Sequence, residues 1–176
     1  RGADKRGRTL VTRAGAAIGS ALFFLLAPGT MAGLIPWAIT QWRIGPAFFG
    51  FEPLRWLGGA FILAGLWAII DCFARFAFEG RGTPAPIAAP KTLVVSGLYR
   101  HVRNPMYVAL LTLIAGQGLL FGDAQLFVWA GVFWLATHLF VFFYEEPALG
   151  DAFGAQYDAY RAGVRRWIPG VTPWRG

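Results

Sequence analysis

The sequence predicts an all-α integral membrane protein with about four transmembrane helices and a C-terminal amphipathic helix at the interface, on three observations. Apolar residues make up 56% of its 176 positions and charged residues only 14%, a composition that leaves more apolar surface than a soluble domain of this size can bury. Several stretches without charge approach the ~20 residues that cross a bilayer. The basic residues fall in alternate loops, which is how multi-pass proteins set their orientation.

The elements follow in order. Ala14 to Trp42 carries no charge, so a first span is expected over Ala14 to Ile39, long enough to tilt or to kink at Pro28 or Pro36. Leu54 to Phe78, interrupted only by Arg55, Asp71 and Arg75, predicts a second. Asn104 to Gly122 and Ala124 to Tyr144 predict a third and fourth, joined around Asp123 as a tight antiparallel hairpin. Between spans two and three, Glu79 to Pro90 is rich in Gly and Pro and predicts an extended surface segment that serves as a lid, followed by a short β-prone run from Lys91 to Val95. After Pro147, Leu149, Phe153, Tyr157, Tyr160 and Val164 recur at about a helical period, which predicts an amphipathic helix ended by Pro169 and anchored in the interface by Trp167 and Trp174. The whole chain, 1–176, reads as one membrane domain.

Positive charge gathers before span one, between spans two and three, and after span four, with only Arg43 and Arg55 in the first connecting loop and none in the second. Both termini are therefore expected in the cytoplasm, and the net charge of +7 is assigned to anionic lipid rather than nucleic acid. Cys72 has no second cysteine, and His101 and His138 are the only histidines, so no zinc, haem or disulfide framework is expected. Residue 1 is Arg and no signal-peptide order precedes the first apolar run, so the chain is read as processed or truncated. Gly15 and Gly19, then Gly29 and Gly33, have the small-residue spacing of close helix packing, and Asp71 and Arg75 share a helix face as an ion pair.

The hairpin brings Arg100, Arg103, Asn104 and Tyr107 at the start of span three near Glu145 and Glu146 at the end of span four. Two carboxylates at a helix C-terminus oppose the macrodipole and call for a cation, supplied by a facing arginine or by a ligand. His138 lies one turn before Val141, where a base or a packing residue both fit. Trp129, Trp134, Phe140 and Phe143 are candidates for a lipophilic tunnel.

The run TLVVSGLYRHVRNPMY from Thr92 to Tyr107, then Tyr144-Glu145-Glu146 after one hairpin, then Phe153-Gly154 with Tyr157 and Tyr160, resembles the isoprenylcysteine carboxyl methyltransferase family and, more distantly, the phospholipid methyltransferases. The likeness covers about residues 91–170, which it marks as the catalytic half. It implies an S-adenosylmethionine site on the cytoplasmic side, formed by Lys91, Thr92, Leu93, Val94, Tyr99, Asn104, Pro105, Met106, Tyr107 and Glu145, with Arg103, Glu145 and Glu146 as the catalytic polar set. It also implies a lipophilic, membrane-partitioning methyl acceptor. Two positions depart from the family pattern: Asn104 stands for its usual histidine, and Val141 for an arginine that helps hold a prenylcysteine acceptor. A sterol-reductase-like enzyme with a nicotinamide cofactor and a non-catalytic membrane scaffold are the alternatives; oligomeric state is not readable from the sequence.

Overall fold

The computed structural model describes residues 26–78 and 92–176. The first twelve residues of the expected first span, Gly15, Gly19, the extended segment Glu79 to Pro90, and Lys91 lie outside them.

The described residues are all helical, with no strand. Helix α1 covers 26–40, α2 Pro53–Phe78, α3 Pro105–Phe121, α4 Gln125–Phe140, α5 Glu146–Phe153 and α6 Ala155–Gly163. The β-prone residues 92–95 form no ladder among the described residues.

Two continuous helical stretches, Pro53–Arg75 and Gln125–Phe153, are long and apolar enough to cross a membrane. Most of each is unburied, unlike the core helix of a soluble domain. Trp56, Leu63, Trp67 and Ile70 on α2, and Val128, Leu135 and Leu139 on α4, are exposed, which makes an outer surface suited to hydrocarbon. Helix α3, with 17 residues, is shorter, and α1 is described only from residue 26, so the expected four spans are represented by two full-length helices, one short apolar helix and a partial one.

Helices α2 and α3 lie against each other along small residues. A Cβ added at Gly58 would come within 2.6 Å of the Gly116 carbonyl, and one at Gly65 within 2.9 Å of the Ala109 carbonyl. The glycines that carry close packing are thus Gly58, Gly65 and Gly116. Gly29 and Gly33, expected to do so, face open space.

Pro36 shapes α1. Having no N–H, it leaves the carbonyls of Met31 and Ala32 without helical donors, and a π turn forms at Thr30–Leu34 just before it. Side chains from the neighbouring helices close the gap: Gln117 Nε2 donates to the Ala32 carbonyl at 2.8 Å and Trp129 Nε1 to that of Met31 at 2.9 Å. Trp129 is therefore a core residue packed with Phe133, not part of a tunnel.

At the hairpin end, Gly122 adopts φ +70°, and a Cβ there would strike the Pro46 carbonyl. Arg55, from the start of α2, donates to the carbonyls of Leu120 at 2.9 Å and Gly45 at 2.7 Å. The opposite end of the bundle carries the polar residues singled out above.

Candidate functional site

Pro105 occupies the first turn of α3, where a missing N–H costs nothing, so Arg103 and Asn104 sit immediately before the helix and Tyr107 within its first turn. A second π turn, Val141–Glu145, ends α4 just before Pro147, repeating the relation between Thr30–Leu34 and Pro36. It delivers Glu145 and Glu146 opposite the start of α3.

A cleft between these segments is lined by Tyr99, Arg103, Asn104, Pro105, Met106, Tyr107 and Glu145. All seven are residues that the sequence comparison selects. Lys91 lies outside the described residues; Thr92 is exposed, Leu93 packs against Tyr157, Tyr160 and Val164, and Val94 is buried with Cys72 and Tyr99.

The two adjacent carboxylates have unequal surroundings. Glu146 is buried and clamped by Arg166, whose Nε and Nη2 donate to its two oxygens at 2.7 and 2.8 Å. Arg103 Nη1 approaches the same carboxylate at 3.2 Å. That contact is within ion-pair range but misaligned for a hydrogen bond, and both Nε and Nη1 of Arg103 are buried with no hydrogen-bond partner among the described residues. Glu145, half-buried at the cleft, receives one hydrogen bond, from the Tyr107 hydroxyl at 3.2 Å. One acid is thus neutralised by protein cations and its neighbour, among the described residues, faces the cleft without one.

Arg166 belongs to a C-terminal strap that runs along the loop before α3. The Arg103 amide donates to the Arg165 carbonyl at 2.9 Å, Asn104 Nδ2 to the Arg166 carbonyl at 3.1 Å, and the Gly170 amide to the His101 carbonyl at 2.8 Å. Arg100 Nε reaches the Trp174 carbonyl at 2.7 Å. Asn104, standing where the family has histidine, spends its side-chain donor on this strap.

The expected single amphipathic helix is two helices, because Gly154 at φ +50° breaks it into α5 and α6. Their apolar faces do not lie on the membrane alone: Tyr157, Tyr160 and Val164 pack over Leu93 and Val95, and Tyr160 Oη donates to the Tyr99 carbonyl at 2.6 Å. Trp174 packs on Tyr160 and Trp167 on His138, and both remain half-buried. Burial pushes the phenols of Tyr99, Tyr157 and Tyr160 above their ordinary value, keeping them neutral. Hydrogen bonding to Glu146 raises the Arg166 guanidinium further.

His138 is tied into the same strap. Trp167 Nε1 meets its Nδ1 at 3.0 Å, and since an indole N–H only donates, Nδ1 is the unprotonated nitrogen and the proton sits on Nε2. Trp134 stacks on the imidazole, while Phe140 packs with Tyr144 and Phe143 is exposed, so of the tunnel candidates Trp134 alone joins this cluster. Val141 is 1% exposed, a packing position with no room for a guanidinium.

The sequence reading did not single out Arg166 as part of this site. The signal available was arithmetic: two adjacent acids opposite one nearby arginine leave a cation to be found, and Arg165-Arg166 is the basic pair that follows.

A model of the phospholipid methyltransferase family matches residues 54–156, more than half of the chain. Among curated proteins, none matches. The matched region takes in α2, the cleft and both glutamates, and stops short of Arg166.

Proposed function

The chain belongs to the phospholipid methyltransferase family, an integral membrane methyltransferase by that membership, and on that premise we propose that it uses S-adenosylmethionine to methylate a lipophilic acceptor. The observation that carries this reading is the inequality of the glutamates. A cleft that offers one carboxylate without a protein cation among the described residues, beside a buried guanidinium with unused donors, suits a ligand bearing both a positive charge and a carboxylate.

The donor set fits this cofactor. Glu145, oriented by Tyr107, would hold its cationic groups, and Arg103 its carboxylate. Tyr99, Pro105 and Met106 would cover its apolar parts and keep water out. When bound, the cofactor supplies a methyl group already activated by a positive sulfur, so the chain needs no nucleophile of its own. What remains for the protein is orientation and desolvation. Glu146 does not meet ligand in this reading; it anchors Arg166 and keeps Arg103 in place.

The acceptor is membrane lipid or a lipophilic molecule that partitions there. Val141 provides no guanidinium for an acceptor carboxylate, and being fully packed it cannot be exchanged for arginine without overpacking. The distribution of basic loops supports a cytoplasmic position for the cleft.

The test is a binding comparison on purified protein in detergent, S-adenosylhomocysteine against reduced nicotinamide dinucleotide. Binding of the first alone is expected. Binding of the dinucleotide alone would favour a reductase, and binding of neither a scaffold; either outcome overturns the proposal.

A further inference from the structure

We propose that Arg75 is a positioning residue that builds the Tyr99 wall of the cleft from the site end of α2. The inference rests on the reading of that cleft as the cofactor site.

Arg75, in the last turn of α2, does more than pair with Asp71 one turn earlier, its Nε lying 3.1 and 3.0 Å from the two Asp71 oxygens. Its Nη1 also donates to the Ser96 hydroxyl at 3.1 Å, across the whole segment that separates α2 from the loop before α3. The guanidinium lies flat against Gly97: a Cβ there would collide with Arg75 Nε, Cζ and Nη2, and Gly97 has φ +52°. One guanidinium therefore holds an acid on its own helix, a hydroxyl on the loop, and the only kind of residue that permits so close an approach.

The turn that begins at Gly97 ends in Tyr99 and Arg100. Tyr99 is gripped on its far side by the Tyr160 hydroxyl at its carbonyl, and its own hydroxyl bonds the thiol of Cys72, one turn of α2 from Arg75. Asp71, Cys72 and Arg75 thus present one edge of α2 to the Ser96–Tyr99 turn, and Tyr99 is the residue that carries this docking into the cleft. A lysine at 75 would keep the ion pair with Asp71 but has no planar fork to span Asp71 and Ser96 together or to lie against Gly97. A merely structural ion pair tolerates that exchange; a positioning role does not.

The experiment compares wild type, Arg75→Lys and Ser96→Ala, full-length in detergent, by two readouts: affinity for S-adenosylhomocysteine, and the rate of Cys72 alkylation by N-ethylmaleimide. Cys72 is the sole cysteine, 0% exposed and covered by Tyr99, so its alkylation reports undocking of the turn without any need for activity. For Arg75→Lys we expect an affinity loss of roughly tenfold, the scale of one charge-assisted hydrogen bond, with alkylation several-fold faster and the alkylation of wild type slowed by ligand. Ser96→Ala should move both readouts in the same direction by less, and it carries the test alone if Arg75→Lys does not fold. Wild-type affinity together with a wild-type alkylation rate in the folded variant overturns the proposal. If wild type binds no S-adenosylhomocysteine, the cofactor reading fails, and alkylation alone decides whether Arg75 docks the turn.

Discussion

The two ends of the bundle are built from the same residue types to opposite effect. At the Gly122 end, Arg55 reaches across from α2 and spends its donors on the carbonyls of Leu120 and Gly45 and on the exposed Glu52. At the other end, Arg75, Arg103 and Arg166 meet carboxylates, hydroxyls and backbone, while among the described residues two buried nitrogens of Arg103 have no hydrogen-bond partner and Glu145 has no cation. The first end uses charge to close a helix terminus. Among the described residues the second leaves buried donors and one carboxylate unmatched, the surplus on which the proposed cofactor site rests.

The sharpest way to break this comparison is to remove one acid from each end. Glu146→Ala strands Arg103 and Arg166, and loss of a buried partner should cost about 3–5 kcal/mol of stability. Glu52→Ala, whose side chain is 68% exposed, should cost less than about 1 kcal/mol. Chemical unfolding in detergent measures both, and equal losses would dissolve the distinction. Next in size, Glu145→Ala should weaken S-adenosylhomocysteine binding by about 1.5–3 kcal/mol with little change in stability, since few protein contacts depend on it. Arg55→Ala should do the reverse. Leaving two carbonyls without their donor should cost about 1–3 kcal/mol of stability while affinity stays at the wild-type value. A drop in affinity there would mean that the ends are coupled.

The smallest effect is one of pH. Burial raises the folded Tyr157 and Tyr160 above the ordinary 10.0, so the unfolded phenols release their protons first as pH rises. Their contribution is intact below about pH 10 and fades above it as the pH approaches the folded values. Hydrogen exchange should therefore accelerate in α6 at alkaline pH before it does around Gly122.

These ends also differ in how legible they are. The apolar lengths of α2 and α4 and the hairpin at Asp123 follow from composition and turn chemistry, and the cleft residues Tyr99, Arg103–Tyr107 and Glu145 were readable because a linear motif places them on one loop and the facing helix end. What the sequence does not display is partner choice. That Glu146 belongs to Arg166 depends on a strap folding back over the loop before α3, and that Gly58 and Gly65 rather than Gly29 and Gly33 make the close contact depends on which faces meet. Gly154 likewise looks like an ordinary helix interruption until its positive φ turns α6 back over Leu93. Such features arise from long-range contacts, which local periodicity does not encode.

The π turn at Val141–Glu145 behaves as a single inserted residue held in register. One residue of an α-helix is worth about 100° of rotation, from 3.6 residues per turn. The wide turn therefore sets the azimuth of Glu145 and Glu146 independently of the lipid-facing pattern of α4 before it. Shortening this segment by one residue would let the helix run straight into Pro147 and carry both acids off the face that meets Tyr107 and Arg166, without removing a single charged group. The bundle could then keep its outer surface and lose its chemistry, which makes the length of this one turn, as much as the identity of any side chain in it, a heritable determinant of what the molecule does.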